Sequence, residues 1–211
     1  MKQVITGFMT LLLLTMISVA NAAPSRFVEG VHYETLATTV NTHDPAKLEV
    51  REFFYYGCPA CYNAEAVVDN WLQTAAEDVD FVRTPITFIR GSEPLARAYH
   101  VAVAADIIDD IHGPIFDGIH NHREQLFTKD ALKRFFTKYG VEEEQFEKLY
   151  KSFGVNTRIR QGDTAAGDYR LTGVPAFTVN GKYVILRKNL RSEQETFQVI
   201  NYLLNKERSA Q

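Results

Sequence analysis

Both cysteines of this 211-residue chain lie in one four-residue run, Cys58-Pro59-Ala60-Cys61. The stretch from Leu48 to Tyr56, just before the run, has the two-residue alternation of a β-strand. After the run, apolar residues follow the three- and four-residue spacing of an amphipathic helix. These are Ala64, Val67, Val68, Trp71, Leu72 and Ala75. The sequence therefore places the cysteine pair at a turn from a strand into a helix.

The middle of the chain, from Ser92 to Arg170, has helical spacing throughout. Glu93-Pro94 suits a helix start, because proline is tolerated in the first turn of a helix. A later helix is predicted to begin at Thr128 and to end at Gly140. The aromatic side chains of this block are expected to form its core, and they include Phe135, Phe136, Phe146 and Tyr150.

Strand-like sequence returns after the helical block. Ala176–Val179 and Lys182–Leu186 are joined by Asn180-Gly181, the strongest short signal for a β-hairpin. The run Ser192-Glu193-Gln194-Glu195 is a capping box that predicts a final helix. Together with an earlier strand at Val79–Thr84, these elements can form one mixed sheet with helices on its faces.

A C-x-x-C pair at the first strand-to-helix turn of such a sheet is typical of a thioredoxin-like redox motif. We therefore predict an α/β protein with a thioredoxin fold, a mixed β-sheet with flanking helices that is interrupted by an inserted all-helical domain. Residues 23–91 and 171–211 are expected to form the two parts of the thioredoxin fold, and residues 92–170 the insertion.

The N-terminal residues 1–22 have the three parts of a secretory signal peptide. Lys2 precedes an apolar run from Phe8 to Ala20, and Ala20-Asn21-Ala22 supplies a small-residue cleavage site. The apolar run is short for a membrane span, so a retained anchor is the weaker alternative. We expect cleavage after Ala22 and export of the mature chain to an oxidising compartment.

A structural disulfide and a zinc site are the other roles open to the cysteine pair. A bridge from Cys58 to Cys61 closes a tiny loop, so it constrains the unfolded chain little. Zinc needs about four ligands, and the sequence offers no other cysteine and no histidines at zinc-finger spacing. Redox-active use is therefore the stronger interpretation.

Composition and histidine placement argue against two classes of partner. The formal net charge is −3 and no block of Lys or Arg stands out, which predicts no nucleic-acid partner. His112, His120 and His122 cluster within the helical block, but no acid or cysteine completes a metal-ligand set around them. We expect these histidines on a solvated surface, and we predict no metal.

With these features assembled, the chain resembles the DsbA family of bacterial periplasmic disulfide oxidases over essentially all of its mature length. The motifs that carry the resemblance are Glu52-Phe53-Phe54 before the cysteine pair, the helical insertion, Gly173-Val174-Pro175-Ala176, and Val179-Asn180-Gly181-Lys182-Tyr183. One departure is clear. The usual dipeptide between the family's cysteines is Pro-His, whereas this chain has Pro59-Ala60.

The position of Cys58 predicts an acidic thiol. At the first turn of a helix, unpaired N–H groups and the helix dipole favour the thiolate, which is the nucleophile of disulfide exchange. We assign Cys58 as the nucleophile and Cys61, one turn further on, as the resolving thiol. Because Ala60 can neither donate a hydrogen bond nor carry charge, Cys58 is expected to be less acidic than in typical members of the family.

Glu52 falls on the apolar face of a strand that is expected to be buried on both sides. An ionised carboxylate is costly there and tends to protonate. The functional interpretation, supported by a matching acid in the family, is a buried acid/base close to Cys61 that moves protons during exchange. The alternative is a strand register shifted by one residue, which turns Glu52 to solvent.

Val174-Pro175 matches the loop that carries a cis-proline and faces the cysteines in this family. A proline ahead of a strand can hold a cis bond and leave neighbouring backbone groups free to pair with an extended substrate segment. An ordinary trans proline at the start of a strand is the alternative, since only ~5% of X-Pro bonds in folded proteins are cis. Tyr55, Tyr56 and Tyr62 flank the cysteine turn, where they either line a substrate groove or are buried.

The resemblance implies a thiol:disulfide oxidoreductase that donates the Cys58–Cys61 disulfide to unfolded exported polypeptides in the periplasm. It also implies reoxidation by a quinone-linked membrane partner of the DsbB type, and no organic cofactor. A periplasmic reductase or isomerase remains an alternative, although the fold is expected to begin soon after Ala23, without the N-terminal dimerisation domain of dimeric isomerases. A non-catalytic peptide-binding or chaperone module is the alternative from a different class.

Overall fold

The structure, a computed structural model, describes residues 26–210. The predicted signal peptide therefore lies outside the described residues. Five strands and seven α-helices occur in this part of the chain. In chain order they are β1 (Tyr33–Thr35), β2 (Leu48–Phe54), α1 (Pro59–Leu72), β3 (Val79–Pro85), α2 (Glu93–Ala104), α3 (Ile108–His120), α4 (Lys129–Thr137), α5 (Glu143–Tyr150), α6 (Phe153–Asp168), β4 (Ala176–Val179), β5 (Tyr183–Ile185) and α7 (Glu193–Arg208).

The strands form one mixed sheet in the order β1-β5-β4-β2-β3. β2 and β3 are parallel, as a strand-helix-strand unit requires, whereas β4 is antiparallel to both β2 and β5. The predicted thioredoxin fold is therefore confirmed. β1 was not predicted; it has only three residues and pairs antiparallel with β5 at the edge of the sheet.

The first helix begins where the cysteine pair was expected. Cys58 has an extended backbone, with φ −92° and ψ 116°, and Pro59 occupies the first helical position, where its fixed φ suits a helix and its missing N–H costs nothing. The predicted apolar face of α1 packs inward through Ala64, Val68 and Trp71. The strand-to-helix turn at Cys58 is thus fixed by a buried strand before it and a buried helix face after it.

Five helices, α2 to α6, lie between β3 and β4 and share a core that also touches the cysteine turn. The predicted start of α2 at Glu93 is confirmed, and Thr128 caps α4 by accepting a hydrogen bond from the backbone N–H of Ala131 at 3.3 Å. Phe136 and Phe146 are fully buried and meet edge to face at 5.0 Å. Aromatic packing between α4 and α5 is therefore part of the core of this block, as predicted.

The predicted hairpin is present, and hydrogen bonds to α7 stabilise it. Asn180 and Gly181 both have positive φ, at 51° and 68°, which fits an Asn-Gly turn between the two strands. The Glu207 carboxylate of α7 accepts hydrogen bonds from Asn180 at 2.6 Å and from Tyr183 at 2.9 Å. At the start of α7 the Glu195 carboxylate binds the backbone N–H of Arg191, so it reaches one residue further back than a capping box requires.

None of the helices within residues 26–210 is both long enough and apolar enough to cross a membrane.

Gly181 provides a test of the close contact between the N-terminal segment and the hairpin. A Cβ at Gly181 would lie 2.1 Å from the carbonyl oxygen of Val40, whereas a Cβ at Gly140 would meet nothing within 4 Å. Both glycines have a positive φ, at 68° and 79°, so the two alanine variants share the cost of a left-handed backbone, about 1–2 kcal/mol. We expect Gly181→Ala to lower the free energy of unfolding in urea by clearly more than Gly140→Ala; equal losses would contradict the close contact with Val40.

Candidate redox site

The two cysteines differ sharply in exposure. Cys58 is half-buried at the N-terminus of α1, whereas Cys61 is fully buried in the core beneath it. The backbone N–H of Cys58 donates to the Tyr55 carbonyl at 2.9 Å, and the Cys58 carbonyl accepts from Tyr62 at 3.1 Å. The turn is thereby held on both sides, and Cys58 is the sulfur that a partner molecule can reach.

The surroundings of the two thiols move their pKa values in opposite directions. The Cys61 side chain donates a hydrogen bond to the Cys58 sulfur, and this bond, with the backbone N–H groups of Cys61 and Ala60 and the charge of His120, lowers the pKa of Cys58 to about 6 despite partial burial. The same bond and the burial of Cys61 raise its own pKa. At neutral pH the pair therefore holds one thiolate, on Cys58, and one thiol, on Cys61.

The Val174–Pro175 loop faces Cys58. The peptide bond between these residues is cis, as the family motif predicted, and the Cys58 sulfur lies 3.6 Å from the Val174 carbonyl oxygen. Arg187, just after β5, donates to the Pro175 carbonyl at 2.9 Å and holds the loop from behind. A cleft of about 650 Å³ runs beside the loop, between the N-terminal segment and the end of β5.

Glu52 lies in the centre of β2 and is fully buried, so the register that would turn it to solvent is excluded. Burial first, and then repulsion from Glu65, raises the pKa of Glu52 to about 8, although Arg83 acts in the opposite sense. Arg83 is its neighbour on β3, and the Arg83 Nε lies 3.4 Å from a Glu52 oxygen, a close contact without hydrogen-bond geometry. When Glu52 is ionised, its charge also contributes to raising the pKa of Cys61.

A second, partly buried carboxylate, Glu65 of α1, connects Glu52 to the helical block. The Glu65 carboxylate lies 3.2 Å from Arg83 Nη2 and 3.2 Å from His112 Nε2 of α3. Burial alone would raise its pKa, but the contacts with His112 and Arg83 keep the pKa of Glu65 below its usual value. The other ring nitrogen of His112 lies 2.7 Å from the Tyr56 hydroxyl oxygen. A chain of ionisable groups therefore runs through the core under the cysteine turn.

The prediction that all three histidines are solvated was wrong for two of them. His112 is only 8% exposed, and His120 is half-buried, with its Nε2 atom 2.8 Å from the Tyr56 carbonyl oxygen. His122 is exposed, as predicted. The missed signal is helical spacing, because His112, Phe116 and His120 recur every four residues and so share the face of α3 that packs toward α1.

The tyrosines of the turn are placed differently from one another. Tyr56 is fully buried, which settles it as a core residue. Tyr55 is half-buried, and its ring lies where a side chain on Gly57 would be, since a Cβ there would come within 2.6 Å of the ring. Within residues 26–210 no group of three or more His, Cys, Asp or Glu side chains is arranged to hold a metal ion.

This fold, with a C-x-x-C pair at the N-terminus of its first long helix and a cis-proline loop opposite, defines a thioredoxin-fold thiol–disulfide oxidoreductase. The family model of the DSBA-like thioredoxin domain matches residues 49–195. The chain belongs to this DsbA-like family. Its relatives carry the name DsbA, which indicates a periplasmic protein that acts on protein thiols.

Individual relatives agree with the family match. The chain is 34% identical over 189 residues to the thiol:disulfide interchange protein DsbA of Azotobacter vinelandii, covering 90% of this chain and 88% of the relative. It is similar to the crystal structure of Pseudomonas aeruginosa DsbA, with a TM-score of 0.82, 32% identity, and 87% and 96% of the two chains covered. For Xylella fastidiosa DsbA the TM-score is 0.81, with 27% identity and 86% and 98% covered.

The raised pKa of Glu52 predicts a specific pH dependence of stability. A carboxyl group with a pKa near 8 in the folded protein, against an ordinary value of 4.5, binds its proton more tightly when folded. Its contribution is complete below about pH 4.5 and is lost as the pH rises toward 8. We expect Glu52→Gln to remove this loss, and to gain on the order of 4 kcal/mol over the wild type between pH 4.5 and 8.

The measurement is the free energy of unfolding in urea of the reduced proteins at both pH values. Glu77→Gln is the matched control, because Glu77 is exposed, and it should follow the wild type. If wild type and Glu52→Gln lose stability in parallel, Glu52 ionises normally and the buried-acid interpretation is wrong.

Proposed function

We propose that the oxidised protein donates its Cys58–Cys61 disulfide to the thiols of exported polypeptides as they fold in the periplasm. The observation that carries this proposal is the asymmetry of the pair. A partly exposed Cys58 with a pKa of about 6 sits directly above a fully buried Cys61 whose pKa is raised. Stabilising the Cys58 thiolate stabilises the reduced protein, so the disulfide form is an oxidant.

The exchange proceeds in two displacements. A substrate thiolate attacks the Cys58 sulfur, the Cys58–Cys61 bond breaks, and Cys61 leaves as a thiolate that takes up a proton. A second substrate thiolate then attacks the substrate sulfur of the mixed disulfide and releases the Cys58 thiolate. The substrate loses two electrons and gains a disulfide, while the protein gains two electrons and ends as one thiolate and one thiol.

Glu52 and the Val174–Pro175 loop have supporting roles in this proposal. The first displacement creates a negative charge on Cys61 in a dry core, where it is costly. A carboxyl group with a pKa near 8 holds a proton at neutral pH, so Glu52 is the acid that supplies the proton to Cys61. The Val174–Pro175 loop, 3.6 Å from the Cys58 sulfur, is the place for an extended substrate segment to pair with the backbone.

The cellular partners follow from the same proposal. Residues 1–22 direct export and are removed after Ala22, and the reduced protein is reoxidised by a quinone-linked membrane enzyme of the DsbB type. Pro59 and Ala60 form the exposed part of the active turn that reduced polypeptides meet first.

Single-cysteine variants test the proposed division of labour. With a reduced, unfolded protein whose own cysteines are known, we expect Cys61→Ala to accumulate a mixed disulfide through Cys58 when it is first activated as a mixed disulfide with glutathione. Cys58→Ala should form none, because Cys61 is fully buried. Both variants should lose catalysed oxidation of the substrate, measured by the appearance of its disulfides.

Each other outcome has a defined meaning. Mixed disulfides through Cys61 would reverse the assignment of nucleophile and resolving thiol. Oxidation that persists in Cys58→Ala would exclude a role of the pair in catalysis, and retained suppression of substrate aggregation without any exchange would favour a chaperone module.

A further inference from the structure

The active turn carries Ala60 where members of the DsbA family usually carry histidine, yet a histidine from another element lies against the turn. We propose that His120, at the C-terminal end of α3, supplies the positive charge that stabilises the Cys58 thiolate in the reduced protein. This inference rests on the proposed function of Cys58 and adds a positioning residue from the helical block.

Contacts with both sides of the turn hold the His120 ring in place. Its Nε2 atom lies 2.8 Å from the carbonyl oxygen of Tyr56, two residues before Cys58. Because a carbonyl oxygen can only accept, Nε2 is the nitrogen that carries a proton, and a second proton on Nδ1 makes the ring a cation. The ring also stacks on Tyr62, four residues after Cys58, with 5.0 Å between centroids and 11° between planes. His120 therefore contacts residues on either side of the Cys58 nucleophile.

The surroundings of Cys58 strengthen the attraction between a charge on His120 and the Cys58 thiolate. Cys58 and Tyr62 pack against the core of the helical block, so the space between the ring and the sulfur is only partly solvated, and charges attract more strongly there than in water. The charge of His120 is one of the contributions that lower the pKa of Cys58. Ala60 is exposed and uncharged, so the surface that meets a substrate at this position stays small and neutral.

Other charged and titratable groups near His120 have partners of their own. Asp117, one turn earlier on α3, accepts hydrogen bonds from Asn121 and Tyr62, and these, with His122, keep its pKa low. His122 pairs with the far oxygen of Asp117 at 2.9 Å. On the inner side, Glu65 of α1 pairs with Arg83 and His112.

The test is a titration of the Cys58 thiolate by its ultraviolet absorbance, with Cys58→Ala as the blank. We expect His120→Gln, which keeps an N–H donor for the Tyr56 carbonyl, to lower the acid ionisation constant of Cys58 by roughly three- to tenfold. His122→Gln is the matched control and should stay within about twofold of wild type, since that exposed ring is paired with Asp117. Adding Ala60→His to His120→Gln should restore the acidity, because position 60 is exposed and has room for a ring.

A second measurement uses the wild-type protein, so it decides the proposal even if His120→Gln does not fold. Linkage requires that a cation which stabilises the thiolate is itself stabilised by the thiolate. The His120 ring should therefore titrate at a higher pH in the reduced protein than in the oxidised protein, as followed by nuclear magnetic resonance.

The outcomes separate this inference from the proposed function. An acidic Cys58 in the wild type, with an unchanged ionisation constant in His120→Gln or with the same His120 titration in both redox states, overturns the role of His120 and leaves the proposed function standing. A Cys58 that ionises like a free cysteine in the wild type overturns both.

Discussion

The hydrogen bond from the Cys61 thiol to the Cys58 sulfur is the interaction on which the site depends. Cys61 is the donor of this bond, because it is buried and keeps its proton. Cys58 lies at the open N-terminus of α1 and can lose its proton. The fold maintains this difference in burial and pKa between the two cysteines. β2 is buried on both faces and leads the chain to the turn, Pro59 starts the helix immediately, and the apolar face of α1 draws Cys61 into the core. Cys61 could not be shifted by one residue without losing the difference in burial, because Ala60 is exposed and Tyr62 is only half-buried.

Charged groups beneath the cysteine pair keep one carboxyl group protonated close to the place where the buried Cys61 thiolate forms. Glu52 and Glu65 are close enough to repel one another, and Arg83 contacts both of them. Glu65 has the additional contact with His112, so it holds the negative charge, and Glu52 is left to hold the proton. The helical block therefore does more than cover the sheet. Through His112 it fixes which of two carboxylates is ionised, and through His120 it touches the turn itself.

Elements with a strong local pattern could be predicted from the sequence, and contacts made by packing could not. β2, α1 and the hairpin were predicted because periodicity and an Asn-Gly turn are local signals. β1 was missed because three residues are too few for a period to show, and its strand character comes from pairing with β5. The burial of Glu52 was predicted from alternation on β2, but its neighbour Arg83 comes from the adjacent strand, so the contact between them had no sequence signal. His112 and His120 share a helical face with Phe116, a spacing visible in the sequence, but that this face of α3 turns inward is set by packing on α1.

The most direct test of this account compares the free energies of unfolding of the oxidised and reduced proteins. The Cys58 thiolate is stabilised only in the folded, reduced protein, and the disulfide itself closes so short a loop that it constrains the unfolded chain little. With a pKa near 6 in the folded state against an ordinary value of 9.0, Cys58 binds its proton less tightly when folded. Its contribution to stability is therefore complete above about pH 9 and is lost as the pH falls through 6. The account predicts that the reduced protein is the more stable at neutral pH and that its advantage disappears on acidification through pH 6. A more stable oxidised form at neutral pH, or a difference that does not change between pH 6 and 9, would contradict it.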